Sequence, residues 1–312
     1  MDSTTKEETL RVTLPVAEIL IIKRDIDLIK KLLLMPGKLR SYYGMYFTPY
    51  VALVCYEALN YLEKKGHGVE IERTSKYNIK EIRNKAKFFD LRLNQILQSA
   101  SNVDLLQHYD FAQQMKYPEL ASWNVHDNLG VYFDSDKMVI GNTQYMVWVY
   151  QDEDVIKKPL TNMVGFDIQN AEAQALSFDM GRIIGSLSDG LSGVKDFITN
   201  DAIPSNINIY VNDFNTNRCW SNTTEKYKPI RLLLLHMLSS IGFILGIVKK
   251  CIIRDNGLLL RLEYVMYHSA LERFKQLHQY TQNFKNEISD EKLLFFLSEI
   301  DFSESILLYL IK

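Results

Sequence analysis

Cysteine is scarce in this chain of 312 residues: there are three, an odd number, at positions 55, 219 and 251. They are far apart and outside any CxxC or CxxH spacing, which argues against a disulfide framework and against a zinc site. Reduced thiols in a cytoplasmic protein are the plain reading. Net charge is also nearly absent. With 36 basic and 38 acidic side chains the balance is −2, so no global field draws nucleic acid or an anionic membrane, and any such contact needs a local patch. The start, MDSTTKEETLRV, lacks the basic and apolar regions of a signal peptide. The glycine-rich stretch GSLSDGLSG at 185–193 lacks the Gly-Lys-Ser/Thr of a phosphate loop. Internal repeats and low-complexity linkers are not evident either.

What is present is apolar and mostly helical in period. Hydrophobic residues make up 47% of the chain, ample for a sizeable core. Pro15 opens a helix running to Met35, with Ile19, Ile22, Ile26, Ile29 and Leu33 on one side and Lys23, Asp25, Asp27 and Lys30 on the other. Thr48 as cap and Pro49 as first residue predict a second helix, ended by Gly66, behind the aromatic cluster Tyr42, Tyr43, Tyr46 and Phe47. Asn78 and Glu81 predict a third, to about Ala100, and another covers about 103 to 115. The third is the most basic: Lys80, Arg83 and Lys87 ring its apolar stripe. They are the candidate contacts for a phosphate backbone, against the plainer alternative of a solvated face.

Between Trp123 and Tyr150 the period changes. Short β-prone runs at 131–133, 138–140 and 145–150, separated by Asp134-Ser135-Asp136 and Gly141-Asn142, predict a small antiparallel meander. The acidic residues there suit turn chemistry and lack calcium-loop spacing, so neither a metal nor a cofactor is expected. A helix from Asp167 to about Leu187 follows, then the glycine-rich break. Ile207, Ile209 and Val211 predict one more strand.

Two long helices joined by a turn at Asp255, Asn256 and Gly257 then span 227–280, and capped or apolar segments at 289–300 and 302–311 predict two final helices. The 17 uncharged residues between Arg231 and Lys249 come close to the length of a membrane span. With His236, Ser239, Ser240, Gly242 and Gly246 among them, a buried core helix is the expectation and a membrane anchor the alternative. The whole predicts a mainly α multi-helix bundle with a small β-meander insertion. Its parts are an N-terminal helical region (1–120), the insertion (121–160) and a C-terminal helical region (161–312), forming one continuous globular unit.

The central helices hold three of the six histidines, each with an arginine upstream: Arg231 with His236, Arg261 with His268, Arg273 with His278. Over about Pro229 to Tyr280 this resembles the HEPN superfamily of helical bundles, whose active members carry an arginine, four to six residues, then a histidine on a late helix. The resemblance implies metal-independent RNA cleavage in stress or phage-defence settings, by a homodimer whose pairs face a shared cleft. A histidine relays the proton of the ribose 2′-hydroxyl and an arginine holds the scissile phosphate.

On an ideal helix a spacing of five separates two residues by about 140°, and a spacing of seven by about 20°. Arg261 and His268 therefore share a face, joined by Glu272 four residues on, with Tyr264 beside them. Catalytic candidates are Arg261, His268 and Glu272, then Arg231 and His236. Arg273 and His278 join the basic helix as substrate contacts. The alternative function is a non-catalytic interaction or scaffold protein in which these side chains are paired with protein groups.

Overall fold

A computed structural model of the chain describes residues 16–34, 39–66, 79–87, 129–142, 171–194, 207–215, 228–252 and 257–283, with isolated positions at 71, 74, 93, 97, 145 and 218. The described chain is mainly helical with a small three-stranded antiparallel sheet. The predicted helices at 103–115, 289–300 and 302–311 lie outside the described residues.

Helix α1 (Val16–Leu33) presents Ile26, Ile29 and Leu32, all fully buried, to the interior. One charge departs from the expected division. Asp25 lies on the buried side, 6% exposed, because it stands three residues after Ile22 and directly before Ile26 in the apolar register. Helix α2 (Leu39–Lys64) begins nine residues before the expected cap and runs straight through Pro49. An interior proline costs a helix about 3 kcal/mol. Tyr46, Phe47 and Tyr50, all buried, offset it by packing round Phe243 at centroid distances of 5.9, 6.1 and 6.4 Å. Gly66, at φ +79, ends this helix as expected, its N–H bonded to the carbonyl of Glu63 at 2.9 Å. Helix α3 (Ile79–Lys87) packs on α2.

Strands β1 (Leu129–Phe133) and β2 (Val139–Asn142) form the expected hairpin. Its turn is built by Asp134, whose carboxylate accepts the N–H groups of Asp136 at 3.0 Å and Met138 at 2.9 Å. The strand expected at 145–150 lies outside the described residues except for Tyr145. The third strand of the described sheet is β3 (Tyr210–Phe214), overlapping the run expected at 207–211, antiparallel to β1 on the side away from β2, in the order β2-β1-β3.

Helix α4 (Ala171–Gly190) continues through the first part of the glycine-rich stretch and turns only at 191–193. A nearly buried Asp179 on it accepts the N–H and the hydroxyl of Thr74, at 2.9 and 2.8 Å.

Helix α5 (Lys228–Gly242) passes without interruption into a π-helical stretch (Phe243–Val248) and a last α turn (Lys249–Cys251). Among the described residues it is the one helix long and apolar enough to cross a membrane, and most of it is buried inside the protein. Helix α6 (Gly257–Asn283) folds back along it, so that Ile230, Leu233 and Met237 of α5 meet Ala270 and Leu277 of α6. A single larger cluster of buried residues draws on α1, α2, α3, the sheet, α4, the π stretch and the start of α6.

The sheet reaches α5 at its glycines. A Cβ on Gly242 would stand 1.7 Å from the carbonyl oxygen of Val139, and one on Gly246 would stand 2.9 Å from Asp134 Oδ2 and from Ile140 Cγ2. Strand β2 therefore lies directly on the helix backbone.

Candidate functional site

The three arginine and histidine pairs go to three different environments. His236 faces the sheet and is 2% exposed. Asn142, at the end of β2, organises everything around it. The Tyr145 N–H donates to Asn142 Oδ1 at 2.8 Å, which fixes the orientation of the amide. Asn142 Nδ2 must then point its two hydrogens at His236 Nδ1, 3.2 Å away, and at Ser239 Oγ, 2.8 Å away. An amide nitrogen only donates, so Nδ1 is the acceptor and the ring carries its proton on Nε2. The backbone of Asn142 is held in turn by the Tyr46 hydroxyl, which accepts from its N–H and donates to its carbonyl. Tyr145 stacks on Tyr46 at 5.0 Å and meets the edge of His236 at 5.7 Å.

Burial pushes the His236 pKa from the usual 6.5 down to about 3. Its partner in the motif, Arg231, sits half-buried on the same helix, and burial lowers its pKa as well.

Arg261 and His268 do share the outer face of α6, both exposed. The guanidinium, however, turns to α1, where Nη2 bonds both carboxylate oxygens of Asp25. Burial raises the Asp25 pKa from 3.8 to about 6, against the lowering pull of Arg261. His268 stands beside the exposed ring of Tyr264, centroids 5.9 Å apart. Glu272 bonds Lys275 at 2.8 Å, and that ammonium, with His268 and Arg273 assisting, holds its carboxyl below the usual range. The structure thus keeps His268, Tyr264 and Glu272 on one face and assigns Arg261 to α1.

Arg273 has no exposed surface. It stands on α6 between Ala270 and Leu277, gives Nη1 to Gln276 Oε1 at 2.5 Å, and burial pushes its pKa down to about 10. His278 is half-buried on the same helix. On α3, Lys80 is exposed and Lys87 half-buried, while Arg83 bonds Glu57 at 3.0 Å and covers the Tyr56 ring at 4.8 Å. The basic helix therefore commits one of its three named cations to α2. At the hairpin turn, Asp134 and Asp136 hold Lys250, and the described residues contain no group of three metal-ligating side chains.

The buried network of Tyr46, Asn142, Tyr145, His236 and Ser239 was not foreseen from the sequence, where Asn142 follows a glycine and reads as a turn residue. Nor was the buried pairing of Asp25 with Arg261, since the expected division of α1 puts Asp25 among the solvent-facing charges.

The two shifted groups act on stability with opposite signs. His236 binds its proton less readily folded than unfolded, so stability falls as pH drops from 6.5 towards 3. Asp25 binds its proton more readily folded, so its contribution is full below 3.8 and is lost as pH rises through 6. Between about 3.8 and 6 the two slopes, each about 1.4 kcal/mol per pH unit, offset one another. In Asp25→Asn the His236 slope should stand alone, giving a urea midpoint that falls continuously from pH 6.5 to pH 4. A midpoint in that variant as flat as wild type would refute the assignment.

No family model, curated protein or solved structure matches this chain.

Proposed function

We propose that the chain is a non-catalytic helical interaction protein, in which the arginine and histidine pairs have become parts of the framework. The observation that carries this reading is His236. A ring buried in the core, neutral at physiological pH and with Nδ1 occupied by Asn142, cannot accept the proton of a ribose hydroxyl. Arg261 supports it, since its guanidinium serves Asp25. The partner in this reading is a second copy of the chain, in the cytoplasm. Leu260 and Tyr264, 68% and 67% exposed, give α6 an apolar outer edge for that contact. The test is incubation of purified full-length protein with total RNA in EDTA, where the RNA is expected to stay intact.

One observation favours a second reading. His268 is exposed, with Tyr264 and Glu272 on the same face of α6, an arrangement suited to an HEPN-like RNA-binding protein or metal-independent ribonuclease acting in stress or phage defence. Under that reading RNA is cleaved in EDTA. His268→Ala lowers the rate about 100-fold or more, while His236→Gln leaves the rate per folded molecule unchanged. Cleavage with that pattern would replace the interaction reading.

A further inference from the structure

The central strand of the sheet and its outer strand are covered very differently. β1 is buried on both faces, by Leu129 and Val131 on one and Tyr132 on the other. The run that contains β3 alternates instead: Ile207, Ile209 and Val211 pack on the main core cluster, while Asn208, Tyr210 and Asn212 are exposed, Tyr210 to 55%. Among the described residues no strand pairs with the outer side of β3. Alternate residues there point their N–H and C=O groups away from β1.

Sheets ordinarily guard such an edge with proline, lysine or a bulge. This edge has none of the three. No proline, lysine or arginine occurs in 207–215, and β3 keeps an unbroken register with β1 over five pairs, whereas the register between β1 and β2 shifts between Tyr132 and Phe133. Asp213 is the one charge on the strand.

The residues of β3 complement a second β3. Two identical strands that pair antiparallel are related by a two-fold axis perpendicular to the sheet, so one residue must stand opposite its own counterpart. With the axis at Asn212, and only there, all five residues of Tyr210–Phe214 are paired. Tyr210 then stands opposite the partner's Phe214 and Phe214 opposite the partner's Tyr210, two aromatic cross-strand pairs on the face that carries exposed Asn212. Asp213 falls opposite the partner's Val211. Moving the axis one residue on would set the two Asp213 residues against each other, which like charge opposes.

We propose that two copies of the chain join along β3, antiparallel about Asn212, to form one continuous six-stranded sheet in the order β2-β1-β3-β3-β1-β2. Backbone hydrogen bonds hold the contact, and the aromatic pairs set its register. The pairing rests on the reading of the partner as a second copy and adds to it a surface separate from α6.

The experiment follows the full chain by sedimentation velocity and by oxidative crosslinking in a Cys219→Ser background, Cys55 and Cys251 being buried. In the proposed register the two Asn212 Cα atoms lie about 5 Å apart, within disulfide reach, while the two Asn208 Cα atoms lie more than about 20 Å apart. Asn212→Cys should therefore give a covalent dimer under mild oxidation, and Asn208→Cys should not. Asn212→Lys places two ammonium groups opposite each other and should raise the dimer dissociation constant about tenfold or more. A dimer that resists Asn212→Lys and forms no crosslink at 212 overturns the pairing, as does equal crosslinking at 208 and 212. Loss of such a dimer in Tyr264→Ser would place the self-contact on α6 and leave that reading standing. A wild-type chain that stays monomeric overturns both self-contacts and leaves the edge to an extended segment of another protein.

Discussion

Gly242→Ala is expected to cost about 3 to 5 kcal/mol, a large share of the stability of an ordinary domain. The added Cβ would stand 1.7 Å from the Val139 carbonyl oxygen and 2.8 Å from its carbon. Both are backbone atoms of β2, so no rotamer change relieves the overlap. Strand and helix must separate, and Ile140, Phe243 and Ile244, all fully buried, separate with them. The control is Gly185→Ala on α4, where a Cβ meets nothing within 4 Å. That substitution should be neutral or stabilise by about 0.5 to 1 kcal/mol, since alanine is the better helix former. Urea unfolding followed by circular dichroism measures both. Equal midpoints for the two variants would show that β2 does not lie on the α5 backbone.

Asn142→Ala should be nearly as damaging, by a different route. It leaves three buried groups without the partner they have now: His236 Nδ1, Ser239 Oγ and the Tyr145 N–H. At about 1 to 3 kcal/mol for each stranded group, and with some relief from relaxation, a loss of about 4 kcal/mol is expected. The pairing with His236 can be isolated by a double-mutant cycle with His236→Ala, which should return a coupling of about 1 to 3 kcal/mol. A coupling near zero would mean that the 3.2 Å contact contributes nothing. Asn142→Asp separates shape from polarity. The side chain keeps its size but loses both donors, so a stability equal to wild type at pH 7 would refute the hydrogen-bond directions assigned to the network.

These effects explain why the motif-level reading and the structure part company at RLLLLH. The spacing of Arg231 and His236 is a property of one helix, and it survives. What the histidine does is decided by Asn142, 94 positions away, and by Tyr145. Arg261 and His268 share a helix face as their spacing requires, yet the arginine is directed by Asp25, 236 positions away.

The sequence by itself determined the features that are closed within a turn or two of chain. The apolar period places α1, α3, α4, α5 and α6; Gly66 stops α2; Asp134 folds the hairpin turn on its own following N–H groups. Each depends on hydrogen bonds and contacts among near neighbours, which local residue order specifies. Only the tertiary structure decided where α2 begins, because the packing of Tyr46, Phe47 and Tyr50 on Phe243 outweighs the helix-breaking tendency of Pro49. It alone brought β3 to the far side of β1 and pressed β2 on Gly242 and Gly246. A buried polar atom must find its partner wherever the fold supplies one, and that partner is fixed by the geometry of the closed core, not by spacing along the chain.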